Sequence, residues 1–114
     1  MNQLLRTKAE KIRDFLDDHN GKDTVIVDVS DRCSWTECFI ICTVTSAGHL
    51  KGLTQQLWGI LSELDLSVNN RHKSPSTDTW ELIDCNNIVI HLMNRECREF
   101  YNLEKLWELQ NSTS

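Results

Sequence analysis

The chain has 114 residues, of which 39% are hydrophobic and 25% charged, and its formal net charge is -5. This length is typical of one domain that buries about two thirds of its unfolded surface. No run approaches the roughly 20 apolar residues of a membrane span. The negative net charge argues against nonspecific binding to DNA or another phosphate backbone, which needs a basic face.

The first half of the chain predicts a helix, two strands and a second helix. Apolar residues recur at helical spacing over roughly 4–19, and Asn20-Gly21 is a stop signal. A β-branched strand is predicted over 24–29. The almost wholly apolar segment Cys38 to Val44 is typical of a central strand buried on both faces.

The second helix is predicted to begin after Ser46, which is a good N-cap. Gly48, Gly52 and Gly59 lie inside it, and each lowers helix stability by about 1 kcal/mol relative to alanine. Close packing of these glycines against the sheet is one compensation that the pattern suggests.

The second half predicts three strands and a final helix. A short strand is expected near 66–70 and a polar loop over 73–79. Two alternating apolar runs flank Asn86-Asn87, a pair that tolerates the left-handed backbone of a hairpin turn. Helical spacing then places these residues on one stripe: Phe100, Leu103, Leu106 and Trp107. The order α-β-β-α-β-β-β-α predicts one α/β (α+β) domain over 1–110, followed by a polar tail over 111–114.

A two-residue turn determines which hairpin residues share a face. It pairs Trp80 with Met93 and Asp84 with Val89. One face then carries Trp80, Leu82, Asp84, Val89, His91 and Met93. The other carries Glu81, Ile83, Cys85, Ile88, Ile90 and Leu92. The second face is more apolar and is predicted to be core. The first mixes an aromatic ring, a carboxylate and an imidazole, which suits a partner better.

Cysteine and histidine positions bear on metal binding and catalysis. Five cysteines without a C-x-x-C pair predict free thiols in a reducing cytoplasm, and the N-terminal sequence lacks an export signal. Cys38 and Cys42 share a strand face, but Cys85 and His91 point to opposite faces of their hairpin, which favours core thiols over a metal site. Glycine-rich phosphate loops are missing. Asp84 and His91 are close enough in principle for an acid–base pair, although a merely structural histidine is the simpler interpretation.

Sequence blocks from residue 28 onward match a known family pattern. They are Asp28-Val29, Ser34 through Thr36 leading into Phe39-Ile40-Ile41-Cys42-Thr43, Thr45-Ser46 with His49, Trp80 with Ile83-Asp84, Ile88-Val89-Ile90-His91, and Arg98 through Trp107. The last block is specific, because an R-x-F/Y-Y-x-L-E-x-L-W helix directly after a V-x-H strand rarely arises by chance. On these residues the chain resembles the ribosomal silencing factor family, also called the RsfS or Iojap family.

The resemblance implies a mixed five-stranded β-sheet flanked by helices, a nucleotidyltransferase-like fold without catalytic residues. It also implies binding to the large ribosomal subunit through its universal protein number fourteen, with steric blocking of small-subunit joining and repression of translation. A nucleotidyltransferase needs a Gly-Ser pair at a helix start and two acidic residues on a strand that hold Mg²⁺. This sequence has no Gly-Ser pair, and its acidic residues spaced two apart, Glu63 and Asp65, lie at a helix end. It therefore agrees with a domain that lacks this catalytic activity. No cofactor, metal or catalytic residue is expected.

Six positions at four sites differ from the family's usual pattern. Cys38 stands where tyrosine is common, and Gly48 replaces an arginine. Asn86-Asn87 replaces a Gly-Asp turn, a conservative change because asparagine also accepts positive φ. Lys73-Ser74 stands where an acidic residue and glycine are typical, so the lysine reverses a charge near Trp80.

The candidate partner-binding residues are Trp80, Asp84, His91, Met93, Tyr101 and Glu104. Trp80 is the expected aromatic anchor, unless it is an ordinary buried residue. Asp84 and Glu104 are expected to pair with basic side chains. Met93 and Tyr101 would extend the apolar patch, and His91 would orient or pad it. Two alternatives remain: a small enzyme, either a residual nucleotidyltransferase or a hydrolase using Asp84 and His91, and a homodimeric adaptor acting through the aromatic patch.

Overall fold

The computed structural model describes residues 1–34, 36–68, 70–73 and 79–105. The helices are α1 (Gln3–Asp18), α2 (Ala47–Glu63) and α3 (Arg95–Tyr101). The strands are β1 (Lys22–Asp28), β2 (Cys38–Thr43), β3 (Asn70–Lys73), β4 (Trp80–Asp84) and β5 (Ile88–Met93). The predicted positions of Leu106, Trp107 and the polar tail over 111–114 lie outside the described residues.

The strands form one sheet in the order β1-β2-β5-β4-β3. The pair β2–β5 is parallel and the other neighbouring strands are antiparallel, so the sheet is mixed. All six residues of β2 and all six of β5 are buried, as the apolar sequence of β2 predicted. The prediction of a single α+β domain with helices flanking a mixed sheet is confirmed.

Helix α1 forms where its sequence signals predicted. Its apolar stripe is buried and consists of Leu5, Ala9, Ile12 and Leu16. Asn20 takes a left-handed φ of 68°, and the Gly21 N–H donates to the Leu16 carbonyl at 2.8 Å. A Cβ at Gly21 would lie 2.5 Å from Cys42 Sγ and 2.7 Å from the Leu16 oxygen. Only glycine therefore fits this turn without displacing its neighbours.

Helix α2 begins as predicted, because the Ser46 side chain accepts a hydrogen bond from the His49 N–H at 3.0 Å. The proposed compensation for its glycines is wrong. A Cβ on Gly52 or Gly59 would meet nothing within 4 Å, and one on Gly48 would meet only Ser46 Oγ at 3.9 Å. These glycines leave open space beside the helix and do not serve close packing.

Two element boundaries differ from the prediction. Asp65, with φ 58°, ends α2, and 66–68 then continue without regular structure, so β3 begins only at Asn70. The predicted single C-terminal helix is also interrupted. Asn102 adopts φ 47° and caps α3, because asparagine tolerates the left-handed region better than most residues. Phe100, predicted on one apolar stripe with Leu103, is 81% exposed, whereas Leu103 packs against the second hydrophobic cluster described below.

Two hydrophobic clusters lie on opposite faces of the sheet. The principal core joins α1 and α2 to the sheet and includes Ile40, Ile83, Cys85, Ile88, Ile90 and Leu92. The second core contains Val29, Phe39, Ile41, Val89 and Met93, with Trp80, Leu82, Cys97 and Leu103 packed against it. The predicted assignment of the isoleucine face to the core is therefore confirmed. The opposite face is not open, because α3 and the loop that carries Cys33 lie against it.

Candidate partner-binding surface

The hairpin of β4 and β5 places Trp80 at the end of the sheet nearest α3. Its register is the predicted one, with Trp80 opposite Met93, Leu82 opposite His91 and Asp84 opposite Val89. The turn closes through a 2.8 Å bond from the Cys85 N–H to the Ile88 carbonyl, and Asn86 takes φ 71°. Since the register holds, Trp80 lies on the face away from the principal core.

Three aromatic side chains form an exposed cluster that we call the aromatic patch: Trp80, Phe100 and Tyr101. The ring centroids of Trp80 and Tyr101 are 4.8 Å apart, and those of Phe100 and Tyr101 are 5.0 Å apart. Trp80 is half-buried, whereas Tyr101 is 50% exposed and Phe100 81% exposed. Large apolar side chains held together at a surface are typical of a protein-binding site. Of the six candidates, Trp80 and Tyr101 belong to this patch, and Phe100 was missed.

Arg98 holds α3 in the position that presents the patch. Its side chain is only 8% exposed, and its Nε donates to Glu104 Oε1 at 2.7 Å. Its NH1 donates to Thr43 Oγ1 at 2.8 Å and to the Lys22 carbonyl at 3.3 Å. One guanidinium thus ties the helix to β1, to β2 and to the segment after Asn102. Sequence reasoning missed this role, because two of the three acceptor groups, on Thr43 and Lys22, belong to distant parts of the chain.

Exposed charged side chains lie on α3, the helix that carries Phe100 and Tyr101. Glu96 and Glu99 are exposed on this helix, and Arg95 makes a 2.8 Å ion pair with Asp23 of β1. This arginine holds the pKa of Asp23 below its usual value, mainly through that hydrogen bond. The outer side of α3 therefore combines aromatic rings with the exposed negative charges of its glutamates.

Three of the predicted site residues have internal roles. Met93 is 1% exposed and His91 5% exposed, so the expectation that they lie on an open face is wrong. Both are covered because the second core packs on this face of the sheet. Glu104 already accepts the hydrogen bond from Arg98, which leaves it less suited to a basic side chain of a partner.

Asp84 lies at the far end of the hairpin from the aromatic patch. It is four residue steps along β4 from Trp80, a span of about 13 Å. Its Oδ1 accepts a hydrogen bond from the Asn86 N–H at 2.9 Å, which fixes the carboxylate beside the turn. Asp84 is half-buried and remains a candidate for a separate polar contact.

The predicted alternative of an Asp84–His91 acid–base pair has no support in the geometry. His91 Nδ1 instead accepts a hydrogen bond from Trp80 Nε1 at 3.2 Å. Burial lowers the pKa of His91 to about 4, so its imidazole is neutral at physiological pH. A side chain with such a low pKa binds a proton too weakly to be an efficient general base near pH 7.

The buried cysteines are poor nucleophiles and poor metal ligands in this environment. Burial raises the pKa of Cys38 to about 12 and that of Cys85 to about 11, and it also raises the pKa of Cys42. These groups therefore remain thiols at neutral pH. Among the described residues, no three His, Cys, Asp or Glu side chains are grouped as a metal site requires.

None of the helices in the described part of the chain is long and apolar enough to cross a bilayer.

Comparison with known proteins identifies a family and relatives from bacteria and a mammal. The model of the RsfS family, described as "Ribosomal silencing factor during starvation", matches residues 2–114. A Haemophilus influenzae protein named Ribosomal silencing factor RsfS is 32% identical over 99 residues, which cover 87% of this chain and 96% of that protein. A mouse protein named Mitochondrial assembly of ribosomal large subunit protein 1 is 33% identical over 99 residues, covering 85% of this chain and 43% of that protein.

Solved structures support the same relationship. A Chromobacterium violaceum protein superimposes with a TM-score of 0.81 at 25% identity, covering 90% of this chain and 85% of that one. A Bacillus halodurans protein superimposes with a TM-score of 0.72 at 25% identity, covering 93% of this chain and 95% of that one. The arrangement of helices and sheet described above is therefore shared with both.

Proposed function

The chain belongs to the RsfS family of ribosomal silencing factors, which are ribosome-associated regulators, and from this premise we propose a specific mechanism. The domain binds the large ribosomal subunit through its universal protein number fourteen. Its bulk then sterically blocks joining of the small subunit and represses translation. The mechanism needs only a rigid domain with one docking surface, because occlusion requires no chemistry.

The observation that carries this proposal is the aromatic patch on a fixed helix. Phe100 and Tyr101 are exposed although both are large, and the tie through Arg98 holds the helix that carries them. A rigid side chain loses little conformational entropy on binding, so a preformed patch favours affinity. Trp80 supports Tyr101 from the sheet and is the expected anchor.

Charge supports a basic protein surface as the partner. The chain carries a net charge of -5, and the exposed Glu96 and Glu99 lie on the helix of the aromatic patch. Complementary charge raises the rate of association and disfavours partners of like charge. We propose that Asp84 makes an additional contact with an arginine or lysine at the edge of the interface.

Co-sedimentation with purified ribosomal subunits tests the partner. The chain should pellet with large subunits and not with small ones. Replacing both Phe100 and Tyr101 by alanine should weaken binding at least tenfold, which is typical for the loss of interface aromatics. The matched control is Trp58→Ala, since Trp58 is also a partly exposed aromatic but lies on α2, across the sheet from the patch. Equal pelleting with both subunits, or equal weakening by the control, would contradict the proposal.

Subunit joining provides the second measurement. Added at saturation, the chain should reduce the yield of joined ribosomes from free subunits in a sucrose gradient. The double variant at Phe100 and Tyr101 should restore joining in proportion to its lost affinity. If the chain binds large subunits but leaves joining unchanged, the occlusion mechanism is wrong while the partner stands.

We further propose that the domain is a nucleotidyltransferase-like fold without catalysis and without a cofactor. Asp84 and His91 each have other hydrogen-bond partners, and Asp65 lies at the end of α2 rather than on a strand. Calorimetry with ATP or GTP and Mg²⁺ should give no saturable heat. A saturable signal would instead support the alternative of a residual nucleotidyltransferase.

Domain extent, oligomeric state and compartment are proposals of the same kind. We propose one functional domain over 1–110 with a polar tail over 111–114. Five free cysteines, three of them buried, support a reducing cytoplasmic location. A homodimeric adaptor is the competing interpretation of the aromatic patch. Light scattering at micromolar concentration distinguishes a monomer from this dimer. A dimer that uses the patch should dissociate in the Phe100 and Tyr101 double variant.

A further inference from the structure

The hydrogen bond between Trp80 and His91 links the aromatic patch to the buried sheet. Trp80 Nε1 lies 3.2 Å from His91 Nδ1, and the two ring centroids are 5.9 Å apart. An indole N–H can only donate, so His91 Nδ1 must be the acceptor and carry no proton. The proton of the neutral imidazole therefore lies on Nε2.

The other nitrogen of this imidazole indicates why a histidine is present. His91 Nε2 is buried and has no hydrogen-bond partner among the residues that the structure describes. A buried N–H without a partner destabilises the folded state. An apolar ring in the same place would avoid that penalty, so packing alone does not account for the imidazole. Of the two polar atoms that a phenyl ring lacks, Nδ1 is the one that makes a hydrogen bond within the described residues.

The surroundings hold the imidazole in one orientation. His91 lies on β5 between its register partners Ile41 of β2 and Leu82 of β4. The ring of Phe39 stands at 89° to it, with centroids 5.1 Å apart. On the outer side, the indole of Trp80 contacts Tyr101 at 4.8 Å. Four rings thus run from the sheet interior to the surface, and the hydrogen bond is the directional contact among them.

We propose that His91 is a positioning residue that fixes the indole of Trp80 and so preorganises the aromatic patch for its partner. This inference rests on the proposed function, since it assigns the patch to the contact with the large ribosomal subunit. His91 itself touches no partner, because its side chain is buried. Without the acceptor, the indole can rotate, and binding must then order it again.

Two substitutions separate positioning from packing. His91→Phe keeps a ring of similar size, removes the acceptor and also removes the unpartnered N–H. His91→Asn is smaller and leaves a cavity, but its Oδ1 lies as many bonds from Cβ as Nδ1 does and can accept the indole proton. If His91 serves only packing, the phenylalanine variant should keep more protection of the Trp80 N–H and more affinity for large subunits than the asparagine variant. If it positions Trp80, the order should reverse.

The first readout is the indole N–H of Trp80 in the free protein, measured by nitrogen-15 NMR and assigned with Trp80→Phe. In the phenylalanine variant, we expect the resonance to shift and its protection from hydrogen exchange to fall at least tenfold. The asparagine variant should keep both, although it melts at a lower temperature. Retained protection in the phenylalanine variant would overturn the inference.

The second readout is affinity for large ribosomal subunits. The phenylalanine variant should bind about fivefold to tenfold more weakly, and the asparagine variant within about twofold of the wild type, a scale set by ordering one aromatic side chain. Affinities that follow melting temperature instead would overturn the inference and leave the proposed function intact. A wild-type chain that fails to bind would overturn the proposed function and the partner named here.

Discussion

Two arginine–carboxylate pairs on α3 have almost the same length but differ in their surroundings. Arg98 and Glu104 are 2.7 Å apart, with the arginine 8% exposed, whereas Arg95 and Asp23 are 2.8 Å apart and both more than half exposed. Water screens the second pair and competes for its hydrogen bonds, so its net contribution is small. The first pair is backed by Thr43 and by a backbone carbonyl, and removing the arginine leaves polar groups without partners.

Arg98→Met should therefore lower the free energy of unfolding by about 2 to 3 kcal/mol, below the usual loss for a fully buried pair because Glu104 is partly exposed. Arg95→Met is the matched control and should lower it much less, because both members of its ion pair are exposed to solvent. Urea denaturation followed by circular dichroism measures both. Equal losses in the two variants would mean that Arg98 does not tie α3 to the sheet.

Helix α2 carries a weakness that the structure does not require. Gly52 and Gly59 lie inside the helix, and a Cβ at either position would meet nothing within 4 Å. Neither has positive φ, since no glycine of the described chain does. Their backbone freedom in the unfolded state opposes folding. Neither close packing nor backbone conformation in the folded state requires a glycine at these positions.

Gly52→Ala should raise the free energy of unfolding by about 0.5 to 1 kcal/mol, the difference in helix propensity between the two residues. Gly21→Ala gives the contrasting case. There the new methyl group would overlap Cys42 Sγ and the Leu16 carbonyl, so the variant should lose stability. Thermal melting of both variants checks the pair. A loss of stability in Gly52→Ala would show that open space beside α2 is needed.

The elements that sequence predicts well are those with a local signal. The hairpin register followed from Asn86-Asn87 and strict alternation, and α1 followed from its apolar stripe and stop signal. The aromatic patch depends on distant contacts instead. Asn102 ends α3 one residue after Tyr101, and Arg98 reaches β1 and β2 across more than fifty residues of sequence. Because no local pattern reports those bonds, the exposure of Phe100 was not predicted, and the placement of Met93 on an open face was wrong.

At the scale of the whole molecule, the buried imidazole links stability to pH. Burial lowers the pKa of His91 to about 4, whereas an unfolded chain has a value near 6.5. The unfolded state therefore binds the proton more tightly. The resulting stability is fully present above about pH 6.5 and is lost as the pH falls toward 4. Asp28 has a lowered pKa, chiefly through Ser30, and its contribution is lost only at lower pH.

Between pH 7 and pH 4.5, this proton should remove about 2 to 3 kcal/mol of the free energy of unfolding. His91→Phe should lose less stability over the same range by that amount, since the remaining histidines titrate in both proteins. Urea denaturation at the two pH values gives the difference. Equal losses of stability in wild type and variant would mean that folding does not lower the pKa of His91.

The strand order has a consequence for how the chain is made. The parallel partner of β2 is β5, and Cys38 pairs with Ile88, fifty positions later in the sequence. That edge of β2 can therefore form its hydrogen bonds only after β5 has been synthesised. During vectorial synthesis β1 can protect only one edge, and the other edge of an apolar strand stays unpaired until the hairpin leaves the exit tunnel. Such edges promote aggregation of nascent chains. β2, one of the two fully buried strands of the finished domain, thus depends on rapid completion of the polypeptide.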